Sequence, residues 1–231
     1  MKILIANWKA QNDSEKEALK LFRLYKNLST KKKYITIIAP DILYLNTVTK
    51  SYRGKLIAFA SQKMDTTPSN ASLKAEQIKN AGAKFVFINH PDNKEDPKEL
   101  PEKFFTAQKH GLVPILFTKE YSSDSKRFKE LKQQIKQVLS KKKNNDFLLV
   151  YELGGINKNK HTKKDIEFMI LYLRKLLAEN IGEAAAKKIP ILIGGAMDSV
   201  KIHALSDILT LNGFVIGRAS TDKDELIKIY E

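Results

Sequence analysis

Glu152 ends the run Phe147-Leu148-Leu149-Val150-Tyr151-Glu152 and is followed by Leu153-Gly154-Gly155-Ile156-Asn157-Lys158. Consecutive apolar residues bounded by a polar loop describe a strand buried on both faces, as in a parallel sheet. A carboxylate at the end of such a strand is costly to keep unless it is paired or used. The glycine pair just beyond it supplies a hinge for a loop that could close over it. These features suit a catalytic base at the mouth of a barrel. The plainer alternative is a strand-end glutamate that simply faces solvent, so the rest of the chain must decide.

The composition narrows the setting. At 231 residues the chain fits one large α/β domain or two small ones, and 42% hydrophobic residues with 10 glycines and 7 prolines are ordinary globular values. Without cysteine, neither disulfides nor thiolate metal sites can form, which suits a reducing cytoplasm. No apolar run approaches membrane-spanning length, and Met1 to Ala6 is too short for a signal-peptide core, so no membrane partner is expected. The net charge of +15 invites a nucleic-acid reading. However, of the 41 basic residues 36 are lysine and 5 arginine, whereas base and phosphate forks favour arginine. Their short runs, Lys31–Lys33 and Lys141–Lys143, fall at expected helix ends, where they complement the dipole. No specific nucleic-acid binding is expected, although the field would draw in small anions.

The elements that must position Glu152 alternate along the chain. A strand over Lys2 to Asn7 precedes a helix from Ser14 to about Ser29, with Glu17 at the capping-box position. Strands follow at Tyr34–Ala39 and Lys55–Ser61, with Pro40-Asp41 starting a shorter helix between them. Ser72 is expected to open a helix ending near Gly82. The fourth strand, Lys84–Ile88, stops at Asn89-His90-Pro91, and a helix runs from about Pro97 to His110. Val113–Phe117 is the fifth strand, and Phe128, Leu131, Ile135, Val138 and Leu139 share one face of the next helix. After the Glu152 strand, Thr162 with Asp165 caps a long helix. Ile189–Ile193 and Phe214–Ile216 are the last strands, and Thr221 is expected to cap the final helix.

Eight strand-then-helix units with no linker predict a single domain over 1–231, an α/β fold closed as a (β/α)8 barrel. Chemistry in such barrels sits at the carboxyl ends of the strands. Those ends carry Asn7 and Lys9, His90, Glu152, Gly194-Gly195 and Gly217.

With these residues in place the chain resembles the triosephosphate isomerases, the family that gave the TIM barrel its name, along essentially its whole length. Ala6-Asn7-Trp8-Lys9 is similar to the family's first-strand motif, and Gln77 through His90 to its third helix and fourth strand. Tyr151-Glu152 resembles the sixth strand, Gly194-Gly195 the seventh, and Gly213–Gly217 with Ala219-Ser220 the eighth. In this family, itself a model case of pKa tuning, the resemblance implies that Glu152 takes a proton from the carbon beside the substrate carbonyl. Neutral His90 would polarise that carbonyl, Lys9 would stabilise the enediolate and the phosphate, and Asn7 would position the site. Gly194, Gly195, Ala196, Gly217 and Arg218 would hold the phosphate, and Leu153, Gly154, Gly155 and Ile156 would form the lid. The implied activity interconverts glyceraldehyde 3-phosphate and dihydroxyacetone phosphate, a small phosphorylated substrate, without cofactor or metal. The structural alternatives are a strand-end histidine bonded to backbone and a surface lysine. His110, His161 and His203 sit in no motif and read as helix-end or surface residues.

The sequence departs from the family at several points. Pro91-Asp92-Asn93 stands where the family usually has Ser-Glu-Arg, so one backbone donor beside His90 is lost while an acid is kept. The segment after Glu152 is shorter and lacks the family's proline and tryptophan. Ala196 replaces a serine and Arg218 a second glycine. Gln62 to Ala71 is also short and lacks the usual Gly-Glu, which bears on the homodimer that the family forms through this loop. An active isomerase with an altered grip on phosphate is the favoured reading. A barrel that has lost turnover and binds a phosphorylated ligand or a protein partner is the alternative.

Overall fold

The computed structural model describes residues 1–67, 69–119, 124–139, 146–153 and 161–231. Eight strands close into one parallel barrel in chain order: β1 Lys2–Asn7, β2 Tyr34–Ala39, β3 Ile57–Ser61, β4 Phe85–Ile88, β5 Val113–Lys119, β6 Leu148–Glu152, β7 Ile191–Gly194 and β8 Gly213–Ile216. β8 returns to β1 with Ile3 opposite Gly213 and Ala6 opposite Ile216. Gly213 is required at that seam, because a Cβ there would lie 2.1 Å from the Ile3 carbonyl oxygen.

Between the strands lie α1 Glu15–Ser29, α2 Leu45–Lys50, α3 Ala75–Asn80, α4 Leu100–Lys109, α5 Asp124–Leu139, α6 Lys163–Ile181, the short α7 Glu183–Ala186, α8 Ser199–Leu205 and α9 Lys223–Tyr230. At the start of α6 the backbone N–H of Thr162 donates to the Asp165 carboxylate and that of Asp165 to the Thr162 hydroxyl, as the sequence predicts. Several expected boundaries move, β7 beginning at Ile191 rather than Ile189 and β5 running on to Lys119 among them. The side chain of Asp41 accepts from Leu43 N–H at 2.9 Å in a local turn, so α2 begins only at Leu45. β3 begins at Ile57 rather than Lys55. Ser72 donates to the Thr67 carbonyl at 2.8 Å inside its loop, and α3 starts at Ala75. Thr221 donates to Gln11 at 2.6 Å, leaving Asp222 to accept from the backbone of Asp224 and Glu225 at the head of α9.

The side-chain period of two sorts each strand into two cores. Ile5, Ile37, Phe87, Ile115, Phe117, Val150 and Leu192 fill the barrel interior, while Leu4, Ala6, Ile88, Leu149 and Tyr151 face the helices. Two residues on from Ile5 is Asn7, and two on from Val150 is Glu152. The same alternation that buries the core therefore delivers both polar side chains to the barrel mouth. Among the described residues no helix is long and apolar enough to cross a membrane.

Candidate active site

Lys9 adopts a left-handed backbone conformation, φ +53, that is unfavourable for a residue with a side chain. Its surroundings hold it there. Its N–H donates to the Asn7 side-chain oxygen at 3.1 Å, and its carbonyl accepts from Gln62 Nε2 at 3.0 Å. Nζ forms an ion pair with Asp92 at 2.9 Å. The stem crosses Gly217, where a Cβ would stand 3.5 Å from Lys9 Cε.

The backbone of Asn7 is tied from outside the barrel: Ser220 Oγ donates to its carbonyl at 2.8 Å, and Tyr25 OH donates to the Ser220 carbonyl at 2.7 Å. With its oxygen occupied by Lys9, the amide nitrogen of Asn7 lies 3.2 Å from His90 Nε2.

His90 begins a 3-10 turn over Pro91–Asn93, and its Nδ1 accepts from Asp92 N–H at 3.2 Å. Pro91 occupies the first position of this turn, where no backbone donor is needed, so the loss inferred from the sequence is made good by the next residue. The ring stacks on Phe87, 5.5 Å between centroids and 19° between planes, and meets Phe117 edge-on at 4.8 Å. His90 is only 7% exposed. With Nδ1 accepting, a neutral imidazole carries its proton on Nε2, which sets a ring N–H beside the amide N–H of Asn7.

Glu152 is half-buried at the end of β6, opposite Lys119 of β5 and Gly194 of β7. Its carboxylate lies directly over the Gly194 backbone, where an added Cβ would fall 2.0 Å from Oε2. Gly194 is glycine because the carboxylate occupies the space of a side chain. Gly195, at φ +103, leaves room for the Leu153 carbonyl, which would stand 2.5 Å from a Cβ. Ala196 continues the turn at φ +51 and its carbonyl accepts from Lys201 Nζ at 2.9 Å. Gly217 leads into a 3-10 turn, Arg218–Ser220, with Arg218 exposed.

Leu153, expected in the lid, is 5% exposed in the helix-side core, and its N–H extends the ladder to the Gly194 carbonyl at 3.1 Å. Gly154, Gly155 and Ile156 lie outside the described residues. Gln62, read from the sequence only as the start of a loop, is a junction of the rim. Its Nε2 reaches the carbonyls of Lys9, Ala39 and Pro40, while its own carbonyl accepts from Asn93 at 2.8 Å. Its position just past β3, level with the other strand ends, is the signal that marks it.

The chain is a closed parallel (β/α)8 barrel that brings a carboxylate, an imidazole, an amide and an ammonium group to the carboxyl ends of its strands, the face on which barrels of this class carry their sites. The comparisons define the family. The triosephosphate isomerase family model matches residues 2–231, and this chain belongs to that family. It is 25% identical over 246 residues to triosephosphate isomerase of Wigglesworthia glossinidia brevipalpis, covering 99% of this chain and 95% of that one. It is 27% identical over 245 residues to the enzyme of that name from Blochmanniella floridana, covering 98% and 93%. Over 244 residues it is 27% identical to that from Mesomycoplasma hyopneumoniae strain 232, covering 99% and 98%.

Proposed function

We infer that this chain is an isomerase that interconverts glyceraldehyde 3-phosphate and dihydroxyacetone phosphate, serving glycolysis and gluconeogenesis in the cytoplasm. The observation that carries this reading is the 3.2 Å approach of Asn7 Nδ2 to His90 Nε2, on a rim shared with Lys9 and Glu152. Two donors aimed at one point suit a carbonyl oxygen that gains charge. Glu152 removes the proton from the carbon next to that carbonyl. The C–H electron pair becomes the C=C bond of the enediolate, and the carbonyl electrons move to oxygen. His90 donates through Nε2 and shuttles the proton between the two oxygens. Return of the first proton to the neighbouring carbon completes the exchange of aldehyde for ketone, with no cofactor.

Lys9 offsets the negative charge of the intermediate and the phosphate, and releases Asp92 as it does so. The phosphate lies against the backbone N–H groups of Gly194, Gly195, Ala196 and Gly217, with Arg218 able to add a charge-assisted contact. A homodimer is the family's usual assembly and is proposed here. The loop that would form it is closed on itself here, with Leu73 N–H donating to Asp65 at 2.8 Å and Asp65 N–H to the Leu73 carbonyl at 2.9 Å.

The second reading, a barrel without turnover that binds a phosphorylated ligand or a protein partner, is favoured by the altered holding residues Ala196 and Arg218. A coupled isomerase assay separates the two. The wild type turns over triose phosphate, and Glu152→Gln lowers kcat by about 10²–10⁴-fold, the usual worth of a positioned base. An inactive wild type, or an unimpaired variant, selects the second reading.

A further inference from the structure

Glu95 is a buried acid to which the proposed chemistry gives no part. Its side chain is 3% exposed, and Oε1 lies 3.0 Å from Nζ of Lys103, itself 9% exposed on α4. Glu99, at 3.8 Å, is a second and far more exposed carboxylate near that ammonium group. The other oxygen of Glu95 accepts from the backbone N–H of Asn89.

Asn89 is the residue between the end of β4 and His90, and it is strained. Its φ is +64, and its side chain donates to the Phe117 carbonyl at 2.9 Å. A left-handed conformation at a non-glycine residue persists only where the surroundings over-determine it. Here two bonds do so, one from the side chain to β5 and one from the backbone to Glu95. The conformation at 89 sets the direction in which the chain leaves β4, and so the point from which the imidazole of His90 extends.

We propose that Glu95, held in place by Lys103, is a positioning residue that aims His90 by locking the backbone of Asn89. A purely structural ion pair would need only to join α4 to the rim, and an apolar pair of similar volume commonly does this as well or better. Glu95 differs because it divides its two oxygens, one for the cation and one for the N–H that precedes the histidine.

The kinetic part of the test rests on the isomerase reading; the spectroscopic part does not. The test uses Glu95→Gln, which keeps the volume but offers one acceptor oxygen, and the double variant Glu95→Met with Lys103→Met, which replaces the pair by apolar side chains. In both, thermal midpoint, kcat, KM and the side-chain ¹⁵N spectrum of His90 (assigned by subtraction of a His90→Asn spectrum) are measured. The expected result is a double variant that melts near the wild type, with kcat lowered roughly 10²-fold, the scale of an ångström's misplacement, and KM little changed. The Nδ1 resonance of His90 loses its acceptor character, and Glu95→Gln moves both readouts the same way. Wild-type kcat with an unchanged His90 spectrum in a folded variant overturns the proposal. If the wild type itself has no turnover, the isomerase reading fails alone: a shifted His90 spectrum still supports the role of Glu95, and an unshifted one overturns it.

Discussion

From β1 to β4 the rim is made of side chains that touch one another and bond the neighbouring backbone, whereas from β7 to β8 it is made of backbone. In the first arc, Asn7, Lys9, Gln62, His90, Asp92 and Asn93 are linked by contacts of 2.8–3.2 Å, and two strained positions, Lys9 and Asn89, are held within it. In the second, Gly194, Gly195 and Gly217 clear space for neighbours, and among the described residues the side chains at 196 and 218 enter no such web. A site built of interlocked side chains tolerates little change, because each replacement leaves a partner unsatisfied. One built of peptide N–H groups tolerates replacement wherever the backbone conformation survives. The departures at Ala196 and Arg218 fall on the tolerant arc. Pro91-Asp92-Asn93 departs within the first arc, where Asp92 keeps an acid on Lys9 and Asn93 bonds the Gln62 carbonyl, while Asn7, Lys9, His90 and Glu152 match the family's motifs.

Breaking the first arc has the largest effect. Lys9→Met removes the fixed cation, and kcat should fall by about 10²–10³-fold, the cost of losing one preorganised electrostatic partner. The Asp92 partner is exposed, so the thermal midpoint changes little.

Gly194→Ala probes the point where the two arcs meet. Its methyl group cannot coexist with the Glu152 carboxylate, which is the free end of a flexible side chain and must move. Misplacement of the base should cost roughly 10²-fold in kcat while the melting temperature holds, since no backbone is displaced. A variant that loses stability but keeps kcat would show that the carboxylate does not work from this position.

Ala196→Ser restores the family's hydroxyl on the backbone arc. One added hydrogen bond is worth about 0.5–1.5 kcal/mol, so KM should fall by no more than about tenfold, with kcat unchanged.

The smallest effect comes from three buried tyrosines of the helix-side core, Tyr25, Tyr34 and Tyr230, of which Tyr25 backs Asn7 through Ser220. Burial, with Tyr230 nearby, pushes the Tyr34 hydroxyl up to about 12 and that of Tyr25 well above its ordinary value; burial also raises Tyr230. A raised folded pKa favours the neutral form in the fold. Its contribution is therefore intact below about pH 10, the ordinary tyrosine value, and is lost as pH climbs from there through 12. Thermal midpoints should be flat in this respect up to pH 10 and then decline, and Tyr34→Phe should soften the decline.

The barrel was legible because its signal is repeated eight times, and an error of two residues at one strand end does not disturb the alternation. Ser72 and Thr221 were misplaced as caps because each hydroxyl found a partner in its own surroundings, and local propensity cannot see that competition. Asn7 and Glu152 were legible as polar residues in step with buried ones. Gln62 and Glu95 were not, since an amide that bonds three carbonyls and an acid that faces a buried lysine earn their roles from contacts distant in sequence. Asn89 is intermediate: asparagine tolerates φ above zero, yet nothing local requires it there.

The most direct test of the central claim is solvent-hydrogen exchange, with dihydroxyacetone phosphate incubated in deuterium oxide with the protein. A base at 152 that removes the proton and returns it after partial exchange predicts deuterium on the carbon beside the carbonyl in both recovered substrate and product, abolished by Glu152→Gln. Undeuterated substrate with no aldehyde product from the folded wild type, or equal labelling by the variant, would contradict it.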